Sequence, residues 1–262
     1  MTTLQIFLMV LIGLFTGAVT GLTGASGVMV VVPLATVLLN FPIHQAIGTS
    51  LIVDVLAPLA ISYTYYKHGN IDIKSGIWIA LGSVLGAQLG AYFAAGVSAG
   101  NLGGAFGIFM IIMGIILWRN GINREVITKK MKRIVKFETQ TQRIITALIL
   151  GFFVGLLTGF LGAGGGGIVL LILIFVLDFP LHKAIGTSAL IMAITACSGA
   201  IGYGLHGNTN ILSGLILGFI AAASGVISAK FANKINEEVL AKTVGVIFVL
   251  LGALTTFLQF KS

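Results

Sequence analysis

The chain has 262 residues, 57% of them apolar and only 8% charged, with a mean hydropathy of +1.10, whereas a soluble domain has roughly 25% charged residues. This composition excludes a soluble domain, and continuous rather than alternating apolar runs exclude a membrane β-barrel. What remains is an all-α polytopic membrane protein, in which every segment satisfies its own backbone polar groups. The net charge of +8 sits in a few short connections, so it reports membrane orientation and not nucleic-acid binding.

The first apolar segment covers about residues 4–21. No lysine or arginine precedes it, so it lacks the basic start of a cleaved signal peptide and reads as mature structure. A glycine-rich break, Gly21-Leu22-Thr23-Gly24-Ala25-Ser26-Gly27, separates it from a second segment at about 27–40. Its 14 residues reach roughly 21 Å at helical rise, short of the ~30 Å hydrocarbon core, and Pro33 interrupts it. The spacing predicts a broken or re-entrant pair. Segment three opens at His44 and closes on the polar, aromatic cluster Tyr65-Tyr66-Lys67-His68-Gly69-Asn70, a composition suited to the membrane–water interface. Segments four and five cover about 73–97 and 102–118.

The hydrophilic stretch that follows, Asn120 to Arg143, carries seven lysines and arginines. It reads as a linker, either a solvated loop that fixes topology or a headgroup-binding or regulatory segment. Five further segments follow near 143–159, 165–179, 182–206, 211–232 and 238–260.

The second five replay the first. His44-Gln45-Ala46-Ile47-Gly48-Thr49-Ser50 returns 138 residues later as His182-Lys183-Ala184-Ile185-Gly186-Thr187-Ser188. At that displacement residues 13–27 match 151–165 at 8 of 15 positions, 41–50 match 179–188 at 8 of 10, and 63–76 match 201–214 at 7 of 14, without a gap. This is a duplicated five-segment unit: a first repeat at 1–119, a basic cytoplasmic linker at 120–142 and a second repeat at 143–262. An odd number of segments per unit gives the two halves opposite membrane orientations. With the linker in the cytoplasm, fourteen of the fifteen lysines and arginines fall inside; the reverse orientation puts fourteen outside, so the positive-inside rule decides. Both termini and the His44 connection are then outside. Inverted repeats with glycine-broken helices near the midplane are the architecture of secondary transporters.

Candidate binding residues follow from the two breaks and the two copies of the motif. Exposed N–H groups and helix N-termini at the breaks attract anions, and hydroxyls after a glycine add donors. The substrate-lining candidates are Gly24, Ala25, Ser26, Gly27, Gly48, Thr49 and Ser50 in the first half, and Gly162, Gly164, Gly165, Gly166, Gly186, Thr187 and Ser188 in the second. The alternative for small residues, and the one preferred for Gly82, Gly86 and Gly90, is close helix packing. Asp54 is the one acidic residue deep in an apolar run, roughly 15 Å into segment three at helical rise. It is either a proton-coupling carboxylate or a neutral, hydrogen-bonded structural group; its counterpart is Met192. Gln88 is a weaker candidate. The four histidines sit at segment ends on both membrane faces, which suits capping and excludes a single metal cluster. Cys197 is expected in the core. No catalytic residue, metal or cofactor is expected.

A glycine-rich break, a short apolar run with proline, and then His-x-Ala-Ile-Gly-Thr-Ser, present in both halves, resemble the sulfite exporter TauE/SafE family, also called the toluene sulfonate uptake permeases. The resemblance covers nearly the whole chain. It implies an ion-driven secondary transporter of small sulfur-containing anions such as sulfite or sulfonates, working by alternating access between two inverted repeats. The expected partners are such an anion, a coupling proton or other ion, and the lipid bilayer of the cell membrane; an anion channel or another non-enzymatic membrane protein is the alternative. The second half has Leu171 where the first has Pro33.

Overall fold

A computed structural model describes residues 2–23, 26–120, 139–162, 165–177, 179–232 and 237–261. Most of the basic linker expected at 120–142, together with Gly24, Ala25 and Gly164, lies outside these residues. Among the described residues there are ten helices and no strand. They are α1 (Thr3–Thr23), α2 (Val28–Leu38), α3 (Ile43–Lys67), α4 (Ile73–Ala95), α5 (Ala99–Asn120), α6 (Gln140–Leu161), α7 (Gly165–Phe175), α8 (Leu181–Leu205), α9 (Ile211–Ala232) and α10 (Glu237–Lys261).

Seven of them, α1, α3 to α6, α8 and α9, are long and apolar enough to cross a bilayer. Helices α2 and α7 have 11 residues each, roughly 17 Å at helical rise. Length therefore sets α2 apart as too short to span. The first segment, expected to pair with it as a half-crossing, is long enough on its own.

Local chemistry explains where the helices stop. Pro42 and Pro180 sit at the N-caps of α3 and α8, where a missing N–H costs nothing. At the other end of α3, Gly69 adopts φ 70°, and Asn70 N donates to Tyr65 O at 2.9 Å while Gly69 N donates to Tyr66 O at 2.9 Å. This is a Schellman turn, which needs a left-handed residue at that position. The end of α8 repeats it: Gly207 has φ 72°, and Asn208 N donates to Tyr203 O at 2.9 Å. Three of the four histidines lie against helix-end carbonyls. His68 Nδ1 and His206 Nδ1 each lie 2.8 Å from a carbonyl one turn back, on Thr64 and Gly202, and His44 Nε2 lies 3.1 Å from both Ala94 O and Val97 O at the end of α4.

Glycine lets the long helices touch backbone to backbone. A Cβ on Gly151, Gly155 or Gly159 of α6 would fall 2.0 to 2.3 Å from the carbonyls of Ile79, Ser83 and Ala87 on α4. Gly82, Gly86 and Gly90 meet α6 in the same way. Helix α1 makes the matching contact with α9 through Gly17 and Gly21, and α5 meets α10 through Gly107, Gly114, Gly245 and Gly252. Small residues every fourth position allow such approach where no hydrophobic driving force exists between helices. Helices α3 and α8 lie side by side in opposite directions, Gly48 facing Tyr203, Leu51 facing Gly199 and Tyr65 facing Gly186.

Large apolar side chains, among them Leu85, Phe93, Phe153, Phe219 and Leu250, are exposed, as a surface that meets lipid requires. Cys197 is exposed as well, not in the core. It shares its face of α8 with the exposed Ile194 and Ile201, and an apolar run reads the same whether it faces lipid or protein.

The glycine contacts generate a stability prediction. Gly155→Ala places a methyl 2.0 Å from Ser83 O and is expected to cost about 1–3 kcal/mol, seen as a lower thermal midpoint in detergent. Gly167→Ala, with nothing within 4 Å, should be neutral or raise the midpoint, because alanine is the better helix former.

Candidate functional site

The break between α1 and α2 leaves the first N–H groups of α2 without intrahelical partners. Met29 N and Val30 N donate to the carbonyls of Ser26 and Gly27 at 3.4 and 3.0 Å, while Val28 N and the N-cap Gly27 N find side chains. Asp54 lies eleven residues after Ile43, the first residue of α3, and is 2% exposed. Gly27 N donates to its Oδ1 at 2.9 Å, and Ser26 Oγ donates to its Oδ2. Val28 N in turn donates to Ser26 Oγ at 3.3 Å. A negative group at a helix N-terminus is favoured by the helix dipole, and in an apolar interior the charge-assisted bonds are the strong ones.

Helix α1 closes this node from the other side. Thr16 and Thr20 are 0% and 4% exposed, and neither hydroxyl has a hydrogen-bond partner among the described residues. Thr20 Oγ1 lies 3.5 Å, and the Thr16 methyl 2.8 Å, from where a Gly27 Cβ would stand; Asp54 Oδ1 lies 3.0 Å from the same point. Any side chain at position 27 would displace these groups.

The second break comes up against the first. Gly162 ends α6 in the left-handed region at φ 72°, and a Cβ there would touch Ile47 at 2.6 Å and Val28 at 3.2 Å. Gly165, at the start of α7, faces Thr158 Oγ1 at 3.0 Å on the same measure, and Gly166 is buried beside it. Here the polar node is missing: Val154, Met192 and Gly164 stand at the positions of Thr16, Asp54 and Ser26, and Thr158 Oγ1 is bonded to Val154 O at 2.9 Å.

The duplicated motif is placed differently. Gly48 packs on the backbone at Asn208 O and Gly186 on that at Asn70 O, 2.1 and 2.3 Å from their Cβ positions. Asn210 N donates to Thr49 Oγ1 at 2.9 Å, and Asp72 N donates to Thr187 Oγ1 at 3.0 Å. Each motif thus grips the connection after the long antiparallel helix of the other half. Ser50 and Ser188 bond back to Ile47 O and Ile185 O of their own helices at 2.7 and 3.0 Å. Gln88 bridges α4 to α8 through Ser198 O at 2.7 Å. The side chain of His182 lies outside the described residues, and among those described no group of three His, Cys, Asp or Glu is placed to hold a metal ion.

The structure therefore brings Ser26, Gly27 and Asp54 together, sets Gly162 against the neighbouring Val28 and Ile47, and engages Gly48, Thr49, Gly186 and Thr187 in contacts between the halves. Thr16 and Thr20 are additions that the sequence reading passes over. Their signal is weak, a pair four residues apart in an apolar helix, with the change from Thr16 to Val154 between the copies as its one distinguishing mark. An open groove of about 650 Å³ lined by Leu56, Leu59, Tyr63, Leu190 and Phe219 is apolar and suits hydrocarbon chains, not an anion.

Residues 9–255 match the family model described as sulfite exporter TauE/SafE. The chain is 29% identical to the "Probable membrane transporter protein YunE" of Bacillus subtilis, covering 94% of this chain and 95% of that one. It is 28% identical to YdhB of the same organism, which carries the same description, over 95% and 100% of the two chains. A probable membrane transporter protein of Methanocaldococcus jannaschii is 26% identical over 90% and 88%. No solved structure matches the chain.

The motif contacts predict a matched pair of effects. Thr49→Val and Thr187→Val each leave a backbone N–H without its acceptor, at a cost of about 1–3 kcal/mol. Both should lower the thermal midpoint in detergent, and by similar amounts.

Proposed function

The chain belongs to the sulfite exporter TauE/SafE family of membrane transporters, and from that premise we propose that it is a secondary transporter of small anions, sulfur-containing ones such as sulfite or organosulfonates, and not an enzyme. Transport proceeds by alternating access between two inverted repeats, residues 1–119 and 143–262, joined by a cytoplasmic basic linker in the cell membrane. The antiparallel run of α3 and α8 supports this reading, as do the paired bonds from Asn210 to Thr49 and from Asp72 to Thr187. Two units related by a two-fold axis in the membrane plane make every such contact twice.

The observation that carries the proposal is the Asp54 node at the N-terminus of α2, beside the second break. A half-helix whose N-terminus opens on a polar centre between repeats is how such carriers hold anionic groups. Asp54 is the buried group there able to take up and release a proton, and it serves as the coupling carboxylate. The described glycines of the breaks, Gly27, Gly162, Gly165 and Gly166, keep backbone donors accessible beside it. Gly48, Thr49, Ser50 and their copies Gly186, Thr187 and Ser188 line the joint on which the halves move.

Purified protein in proteoliposomes, offered sulfite, thiosulfate, sulfoacetate and taurine, tests the activity; trans-stimulation by unlabelled substrate distinguishes a carrier from a channel. Asp54→Asn should remove the dependence of net flux on an imposed pH gradient yet retain exchange, since exchange needs no return of the empty carrier. If the variant still accumulates substrate with the gradient, coupling resides elsewhere. Topology is tested separately. In a Cys197→Ala background, single cysteines at Asn101 and Thr128 should label from outside and inside respectively.

A further inference from the structure

The unpartnered hydroxyls of α1 give the Asp54 node a specific chemistry. Buried hydroxyls without partners are costly, and Thr16 and Thr20 carry two of them one turn apart on α1, with Thr20 Oγ1 beside the N-terminus of α2. Three donors converge there, Gly27 N–H, Ser26 O–H and Thr20 O–H, while Thr16 sets its methyl against Gly27 and carries its unpartnered hydroxyl one turn earlier on α1. The only acceptor they meet among the described residues is the Asp54 carboxylate, and it takes just two of them. The second half provides a control within the same chain. Its equivalents of Thr16, Ser26 and Asp54 are Val154, Gly164 and Met192, so two hydroxyls are lost together with the carboxylate, and the retained equivalent of Thr20, Thr158, is bonded to Val154 O at 2.9 Å.

We propose that Thr16, Thr20, Ser26 and Gly27 form an oxyanion subsite in which the Asp54 carboxylate is the resident occupant and the transported anion its competitor. This rests on the transporter reading above and deepens it. Two oxygens of a sulfite, thiosulfate or sulfonate group take the Ser26 and Gly27 donors that Asp54 gives up, and the threonine hydroxyls bond the same group. Among the described residues the displaced carboxylate meets no cation: its bonds are to Ser26 and Gly27, just before α2, and Thr16 and Thr20 of α1 lie across Gly27 from it, none of them a cation. It leaves as the neutral acid, so anion entry carries a proton with it. No covalent bond is made or broken beyond that protonation.

The threonines allow a test in which the two accounts differ in KM. If their hydroxyls are only unsatisfied packing groups, Thr16→Val/Thr20→Val removes a penalty and nothing else. If they are ligands, the double variant keeps or raises the anion-free thermal midpoint, while KM for the transported anion rises at least about tenfold. Uptake of sulfite, thiosulfate, sulfoacetate and taurine is measured in proteoliposomes containing wild type, Thr20→Val, the double variant and Thr20→Ser, which retains the hydroxyl and should retain the wild-type KM. Transport by wild type with an unchanged KM in the valine variants overturns the subsite and leaves the transporter reading standing. Failure of wild type to move any of the four anions overturns the transporter reading itself. A KM increase shared by Thr20→Ser also counts against the subsite, since it assigns the effect to packing.

Discussion

A helix that ends inside a bilayer has to find partners for its terminal N–H groups within the protein, and the first half of this chain meets that demand with a carboxylate. Asp54 accepts from Gly27 N and Ser26 Oγ, and so ties the start of α2 to the middle of α3. The arrangement satisfies both sides at once: the helix terminus gains an anion, and a buried acidic group gains donors. It also places a carboxyl group among side chains such as Val30, Val31 and Leu51 that are fully buried.

Around that point the two halves hold each other through equivalent contacts. Glycines every fourth residue bring α1 to α9 and α4 to α6 at backbone distance, and the duplicated motif seats each half on the Schellman turn of the other. These contacts involve backbone and small side chains with little freedom to rearrange, so they make rigid seams. The polar groups at Thr16, Ser26 and Asp54 have no polar counterpart in the second half, where Val154, Gly164 and Met192 stand. The asymmetry thus resides in chemistry at Thr16, Ser26 and Asp54 and not in the framework.

Much of this framework could be read from the residues. The displacement of 138 located the segments and their short second members, and the polar cluster at residues 65–70 marked the end of α3. The isolated acid at Asp54 was legible because the cost of burying it makes it conspicuous. What one-dimensional pattern does not carry is facing. Thr49 and Thr187 look like hydroxyls lining a pore, yet their acceptor oxygens point at Asn210 and Asp72 of the opposite half. Cys197 looks like core and faces outward, since lipid and protein interior select the same apolar residues. Thr16 and Thr20 were passed over for the converse reason: threonine is unremarkable in a membrane helix until its neighbour across the helix interface is known.

The account's central claim is that one buried carboxylate holds the donors that the anion must take. Its most direct measure is proton uptake on anion binding. Purified protein in weakly buffered detergent at neutral pH is mixed with thiosulfate or sulfoacetate, anions that do not themselves titrate there, and the pH change is followed with an indicator dye. The account predicts uptake of about one proton per polypeptide at saturation in wild type, and none in Asp54→Asn although that variant still binds the anion. Saturable anion binding by wild type with no proton taken up would contradict it.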